Sequence, residues 1–529
     1  MERLRDACGI VGIYARPGDE SIDVRQYLTL ALTALQHRGQ ESAGMAVYDQ
    51  AGRIAHRVGM GKVREVFPDM GQGLPPTRCG IGHVRYSTTG SSCVENAGPF
   101  VVGEQSGGRE DGARPRAIAV AHNGNLVNGS ALRSRLPQHL LSSTTDSEAI
   151  ALLLLLVEGE TLRERMLTAF PLLKGAYSLV MLAEGKLYAV RDPWGMRPLC
   201  LGRIGDIWIA ASESCALDRI GASFVRNVEP GELITIDEQG LHSEILVQAP
   251  RQTLCVFEYI YFSDATSYVN DRYVYLVREA LGRELAREHP VEADLVVPVP
   301  DSSIPAALGY AAASGIPYGQ AIIKNRYSDR TFIKPDQRLR QMEVDLKFNF
   351  VRPKVEGQRL VIVDDSIVRG NTMKRLVAAL RHQGVREIHL RSSAPPLRHP
   401  CYFGIDIPHE DELIAAGRSI EEVAEYIGVD SLGYLSIAGL GRAIASVRRL
   451  SDQEAPASGT GEQRRAGIAP DAETREEAVM EGEGPAFYEG LLHREFCYGC
   501  MRREGWPFDP VQAADESCPL PLVRQPSHS

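Results

Sequence analysis

The chain has 529 residues, 44% of them hydrophobic, and carries 58 Lys and Arg against 68 Asp and Glu, a net charge of −10; that is enough for two or more domains with cores of their own, and too acidic for a general nucleic-acid binder. The longest apolar run, Ala149 to Val157, is too short to cross a bilayer, and the charged start Met1 to Asp6 lacks the apolar stretch of a secretory signal, so no membrane association and a cytoplasmic location are expected. Ten cysteines, mostly scattered, do not make the dense framework of a small secreted domain, which leaves reduced thiols or metal ligands.

From residue 8 to about 250, short β-like runs follow one another with turns and few long helices: Cys8 to Tyr14, Ser178 to Leu182, Leu187 to Val190, Ile207 to Ala211 and Leu233 to Ile236. This order predicts stacked, largely antiparallel sheets. From Leu254 to about Arg448, strands alternate with amphipathic helices: Leu295 to Val299 then Ile304 to Ala313, Leu360 to Val363 then a helix to Gln383, then Ile388 to Leu390. That is βαβ order, hence a parallel sheet with helices on both faces. Two domains are expected, 8–250 and 251–450. Ser451 to Gly484, rich in Glu, Ala, Gly, Pro and Arg and poor in aromatics, reads as a disordered insertion, and residues 485–529 as a tail that carries Cys497 and Cys500. No internal repeat is visible.

The first zone carries a set of motifs in order. Cys8 lies in Ala7-Cys8-Gly9-Ile10-Val11-Gly12-Ile13; His83-Val84-Arg85-Tyr86-Ser87-Thr88, His122-Asn123-Gly124-Asn125 and Thr145-Asp146-Ser147-Glu148 follow. Cys8 alone would more often be a small buried hydrophobe of a first strand. The four motifs together resemble the class II glutamine amidotransferase domain, which implies a four-layer αββα fold of the N-terminal-nucleophile type. The resemblance makes Cys8 the nucleophile on the glutamine amide, gives Asn123 and the Gly124 backbone to the oxyanion, and gives Arg85 and Asp146 to the glutamine carboxylate and amino group. A free α-amino group with a pKa of roughly 7.7–8.0 can serve as base on the same residue. An oxyanion donor typically contributes about 3–4 kcal/mol. Since Cys8 is not residue 2, Met1 to Ala7 would have to come off as a short propeptide.

The second zone holds Leu360 to Thr372, LVIVDDSIVRGNT. Leu360 to Val363 is an apolar run of the kind buried in a parallel sheet, and Met373, Leu376, Val377 and Leu380 recur at helical spacing before Gly384. Between strand and helix, Arg369, Gly370, Asn371 and Thr372 can turn N–H groups and a hydroxyl toward one anion at the positive end of the helix. Asp364 and Asp365 beside a phosphate would repel a bare polyphosphate, so they make sense as acceptors for ribose hydroxyls or as partners of a divalent cation. A solvated Asp pair before an ordinary turn fits less well, because carboxylates, Arg-Gly and Thr share one unbroken loop. The segment resembles the phosphoribosylpyrophosphate motif of type I phosphoribosyltransferases and implies an α/β domain with a parallel sheet.

A class II glutaminase followed by a phosphoribosyltransferase resembles the amidophosphoribosyltransferases, from Cys8 to about Arg448 and again at Cys497. Further matching pieces are Gln36 to Gly44, Arg191 to Leu199, Val299 to Ser303 and Lys324 to Tyr327. The family's reaction passes ammonia from glutamine to C1 of phosphoribosylpyrophosphate and so opens purine synthesis. The resemblance brings Asp301 and Ser303 to the pyrophosphate and matches Ser302, Asp364 and Asp365 to its Mg2+ positions. Lys324 and Arg326 suit pyrophosphate, although such a triplet alone is more often a solvated face. Cys255, Cys401, Cys497 and Cys500 match the ligands of members that bind a [4Fe–4S] cluster. Four thiolates suit zinc equally well, and a lone C-x-x-C is a weak signal. Purine nucleotide feedback and a homotetramer are implied, without assigned residues.

Some positions depart from the family. Tyr261 to Ser267 reads YFSDATS where members read YFARPDS, Arg326 to Phe332 reads RYSDRTF where they read RYVGRTF, Asp345 adds acid to a loop that is often basic, and Gly98 replaces a usual Gln. Added acid beside a polyphosphate is unfavourable unless it points to solvent or touches a cation. A glucosamine phosphate synthase would share the first zone but not the DDSIVRGNT loop. A non-catalytic sensor of phosphoribosylpyrophosphate would need no glutaminase machinery. A paralogue with a working glutaminase and an impaired transferase remains the third alternative.

Overall fold

The computed structural model describes residues 8–16, 22–86, 91–103, 117–324, 348–407, 409–449 and 484–515. The propeptide Met1 to Ala7, Arg326, Asp329, Asp345, nearly all of the insertion expected from Ser451, and Cys518 lie outside the described residues.

Gly9–Ala15 is buried at every position and runs through the middle of a seven-stranded antiparallel sheet, between Ile207–Ala211 and Cys79–Arg85. A second, six-stranded antiparallel sheet stacks on it, with Ala117–Leu126, Gly175–Ala183 and Lys186–Arg191 as successive neighbours. The period of two along a strand decides which core each side chain joins. Ile10 faces inward to a core shared with Ala121, Val180 and Ala189 of the other sheet. Val11 faces outward, against Leu28 and Leu32 of the helix Val24–Ala34. The helices Asp146–Leu156 and Leu162–Ala169 cover the far face of the second sheet. Burying each such aliphatic side chain is worth about 1.5–3 kcal/mol, which makes the expected αββα stack stable without disulfides.

The second zone is a four-stranded parallel sheet in the order Leu295–Pro298, Arg359–Asp364, Glu387–Ser392 and Ser431–Tyr434. Alternation along one strand again sorts the side chains. Leu360 and Ile362 pack under the helices Asn371–His382 and Ile420–Ile427. Val361 and Val363 pack under Val274–Glu288, Ile304–Ser314 and Ile437–Ser446. Helices thus cover both faces, as the βαβ order predicts, and the strand ends that carry Asp364 open toward the loops. The tail returns to the body: Phe496–Cys497 pairs in parallel with Leu254–Cys255, Cys497 opposite Cys255. No helix among the described residues is long and apolar enough to cross a membrane.

Candidate active sites

Cys8 stands immediately before the central strand, its thiol 3.7 Å from the Tyr86 carbonyl. Burial pushes the thiol up from its ordinary range, Asp146 adds to the rise, and Arg85 and Arg38 pull it back. A thiol so placed needs a base before it can attack. Arg85 closes the strand Cys79–Arg85 and lies 3.7 Å from Glu41. Asp146 opens a helix whose N-cap Thr145 accepts from the Glu148 N–H. Its carboxylate accepts from the Leu126 N–H at 2.8 Å and lies 3.7 Å from His122 Nδ1. Burial alone would raise its pKa, yet His122 and the Leu126 and Ser147 N–H groups hold it below the usual carboxylate range. Cys8, Arg85 and Asp146 thus come together from three separate segments.

Asn123 is completely buried, and neither oxygen nor nitrogen of its amide has a partner. Such a group costs about 1–3 kcal/mol, which fits a donor kept for a charge that develops only during reaction. Gly124 has φ +151°, and a Cβ there would come within 2.0 Å of the Ala176 carbonyl oxygen, so the position next to Asn123 admits only glycine.

At the second site, one cavity is lined by Asp364, Asp365, Ser366, Gly370 and Thr372. Gly370, at φ +74°, turns the chain into the helix Asn371–His382. Ser302 Oγ donates to Asp365. Lys324 Nζ lies 3.2 Å from Asp301. Hard oxygen donors of this kind suit Mg2+. Ser303 turns its hydroxyl onto the Val299 carbonyl, leaving only its backbone for a ligand. Arg369 is paired with Glu412, and Asn371 accepts from the Tyr426 hydroxyl at 2.7 Å. Sequence reasoning named Arg369 and Asn371 but neither of these partners, which lie 43 and 55 residues away. Asp264, one of the acidic departures, is used locally: it accepts from Thr266 N and Oγ1 at 2.9 and 2.6 Å. At Gly98 a Cβ would meet His83 Nδ1 at 2.7 Å.

Cys255, Cys401, Cys497 and Cys500 line one enclosed cavity with Met196, Arg197 and Trp506. Among the described residues, one set of three candidate ligands has its donor atoms mutually within 4.8 Å, and it is His37, Glu213 and Cys215 rather than these cysteines. Tetrahedral zinc with Zn–S near 2.3 Å needs sulfurs about 3.8 Å apart. No three of the four thiols have their sulfurs mutually within 4.8 Å, so they do not form a zinc tetrahedron as they stand. His37, Glu213 and Cys215 make a poor cation site, because Arg38 already grips Glu213 at 2.5 Å.

A glutamine amidotransferase domain model matches residues 107–219 and a phosphoribosyl transferase domain model residues 271–401. The amidophosphoribosyltransferase of Archaeoglobus fulgidus is 47% identical, covering 84% of this chain and 94% of that protein. That of Methanothermobacter thermautotrophicus is 48% identical over 83% and 90%, and that of Bacillus subtilis 42% over 83% and 90%. A solved structure, glutamine phosphoribosylpyrophosphate amidotransferase from Bacillus subtilis complexed with ADP and GMP, superposes with a TM-score of 0.76 at 41% identity, covering 83% of this chain and 93% of that one. Both domain types are present in one chain, so a glucosamine phosphate synthase and a non-catalytic sensor are not favoured. With such identity over most of its length, the chain belongs to the amidophosphoribosyltransferase family.

Proposed function

We propose that this chain hydrolyses glutamine at Cys8 and passes the ammonia to C1 of phosphoribosylpyrophosphate, giving 5-phosphoribosylamine, pyrophosphate and glutamate. The carrying observation is the convergence of Arg85 and Asp146 on a buried Cys8 in the same chain that sets Asp364, Asp365 and Thr372 around one cavity. Removal of Met1 to Ala7 exposes the Cys8 α-amino group, which takes the thiol proton. Cys8 Sγ then attacks the amide carbon while Arg85 and Asp146 hold the two ends of the amino acid. The Asn123 amide and the Gly124 N–H donate to the oxyanion, the α-amino group returns the proton to the leaving ammonia, and water then cleaves the Cys8 thioester to glutamate and free thiol. In the second domain, Arg369, Gly370, Asn371 and Thr372 bind the 5-phosphate, Asp301, Ser303, Lys324 and Arg326 the pyrophosphate, and the carboxylates at 364 and 365 the ribose. Ser302, Asp364 and Asp365 would hold Mg2+, which would supply charge neutralisation for the leaving pyrophosphate. Cys255, Cys401, Cys497 and Cys500 would hold a [4Fe–4S] cluster, whose part would be structural, since neither half-reaction moves an electron. The cytoplasmic enzyme is a homotetramer, and purine nucleotides bind it as feedback inhibitors, in keeping with the ADP and GMP of the Bacillus subtilis relative.

Asp364→Asn with Asp365→Asn tests the transfer site. Pyrophosphate release is expected to vanish with glutamine or ammonia as nitrogen donor, while glutamine hydrolysis continues at its basal rate. Phosphoribosylamine formed by the double variant at wild-type efficiency would remove the sugar-phosphate reading of the loop.

A further inference from the structure

An unbroken chain of buried charges runs from the backbone of the nucleophile to the wall of the four-cysteine cavity. Arg38 Nε donates to the Cys8 carbonyl at 3.1 Å. Its two terminal nitrogens grip Glu258, both at 2.9 Å. Glu258 Oε1 also accepts from Arg197 Nη1 at 3.2 Å, and Arg197 Nη2 donates to the Phe403 carbonyl at 2.9 Å. The side chains of Arg38 and Glu258 are 0% exposed and that of Arg197 is 1% exposed. Arg197 lines the cavity formed by Cys255, Cys401, Cys497 and Cys500, and its buried Nε has no partner.

Charges buried this deeply are a poor way to stabilise a fold, because desolvation consumes most of what their attraction returns. Their arrangement is better explained by what lies at the two ends. Arg38 and Arg197 are balanced by Glu213 and Glu258, Glu213 being the second carboxylate on Arg38. His37 is a further partner of Glu213 at 2.8 Å, and the network leaves Arg197 Nε without an acceptor. Four thiolates gathered on a metal–sulfur group leave a net negative charge there. That charge supplies the missing acceptor for Arg197. Glu258 belongs to the segment Glu258–Phe262, three residues after Cys255, so the cavity and the carboxylate move together.

We infer that Arg197, Glu258 and Arg38 are positioning residues that make the placement of Cys8 depend on occupancy of the four-thiol cavity. The inference rests on the reading of that cavity as a metal–sulfur site. With the cavity filled, Arg197 is fixed at both ends, Glu258 is held between two guanidiniums, and Arg38 keeps the Cys8 carbonyl, hence the thiol and amino group, in register with Arg85 and Asp146. With the cavity empty, Arg197 Nε lacks an acceptor, and only Glu258 and the Phe403 carbonyl hold the guanidinium.

The test uses the mature full-length protein purified without oxygen, as wild type, Arg197→Gln and Arg197→Lys. Iron and labile sulfide are measured first. Then the rate at which a glutamine-like chloroketone alkylates Cys8 is followed, alongside glutamine hydrolysis and ammonia-dependent transfer. Arg197→Gln protein that keeps its iron is expected to alkylate Cys8 on the order of 10- to 100-fold more slowly, the cost of misplacing a reacting group by a fraction of an ångström to an ångström. The loss should fall on kcat of glutamine hydrolysis rather than KM and leave ammonia-dependent transfer unchanged, and Arg197→Lys, with the charge restored, should recover part of it. Where Arg197→Gln fails to fold, wild type stripped of metal by a chelator, and still folded by circular dichroism, must show the same slow alkylation. Iron-loaded Arg197→Gln, or folded metal-free wild type, that alkylates at the native rate overturns the relay alone. Wild type with zinc or no metal in the cavity overturns the reading of the four cysteines, and the relay with it.

Discussion

Burial of Cys8 raises its thiol pKa, so the residue has no activity to offer until a base sits beside it, and the electrostatic pull of Arg85 and Arg38 does not cancel that rise. Cys8→Ala should therefore abolish glutamine-dependent pyrophosphate release entirely and leave release with free ammonia near the wild-type rate, measured side by side with the two donors. Loss of both activities would mean that Cys8 serves the fold rather than the chemistry. His83, opposite Ile10 on the adjacent strand, titrates in the opposite sense. Burial, helped by Arg85 and His122, lowers its pKa to about 3. A base whose folded pKa lies below its unfolded value of about 6.5 contributes stability that is complete above pH 6.5 and fades as the pH falls toward 3. At pH 5 the lost share is about 2 kcal/mol. His83→Gln should flatten the fall of the urea midpoint between pH 6.5 and 4, and an unchanged slope would assign acid sensitivity to other groups.

At the scale of elements, the helices Val274–Glu288 and Ile304–Ser314 touch backbone to backbone. A Cβ on Gly282 would come within 1.8 Å of the Ala306 carbonyl oxygen, and one on Gly309 within 1.9 Å of the Glu279 carbonyl oxygen. Gly309→Ala must push the helices apart, and the overpacking is expected to cost about 1–3 kcal/mol, read as a lower urea midpoint. Because the second helix begins just after Asp301 to Ser303, the KM for phosphoribosylpyrophosphate should rise as well; an unshifted midpoint would show that the crossing has slack. In the sequence the same two glycines look like flaws in helical runs, since the reason for them lies on the partner helix. What could be read there was whatever is local: the strands Ile207–Ala211 and Arg359–Asp364 from the apolar runs at 207–211 and 360–363, the turn at Gly370 that opens the helix Asn371–His382, and the separate motifs whose Cys8, Arg85 and Asp146 the fold brings together. What could not be read was long-range pairing of charges. Arg38 with Glu258, 220 residues apart, and Arg369 with Glu412 obey no spacing rule, because an ion pair leaves no periodic trace in a chain.

Across the whole molecule the tail is a strap. Its helix Pro485–Glu495 lies so close on Ile437–Ser446 that a Cβ at Gly441 would meet the Tyr488 carbonyl oxygen at 2.6 Å. Phe496–Cys497 adds a strand to Leu254–Cys255, Phe508 packs on Trp194 at 5.7 Å, and Arg251 donates to the Trp506 carbonyl at 2.9 Å. The strap thus touches both the glutaminase and the transferase parts, and a metal–sulfur group at its Cys497 and Cys500 would bind only the folded state, where Cys255 and Cys401 are in place. Ligands that bind the folded state alone stabilise it, and a well-filled site adds several kcal/mol to what apolar packing supplies. Cys497→Ser removes one thiol of the four while leaving the strand pairing, the Phe508–Trp194 contact and the Arg251 hydrogen bond intact. It should lower the thermal midpoint, bleach the brown colour expected of protein prepared without oxygen, and open residues 484–515 to cleavage in limited proteolysis. A colourless Cys497→Ser protein with the wild-type midpoint and a protected tail would mean that the helix, the strand and the ring contacts hold the strap by themselves.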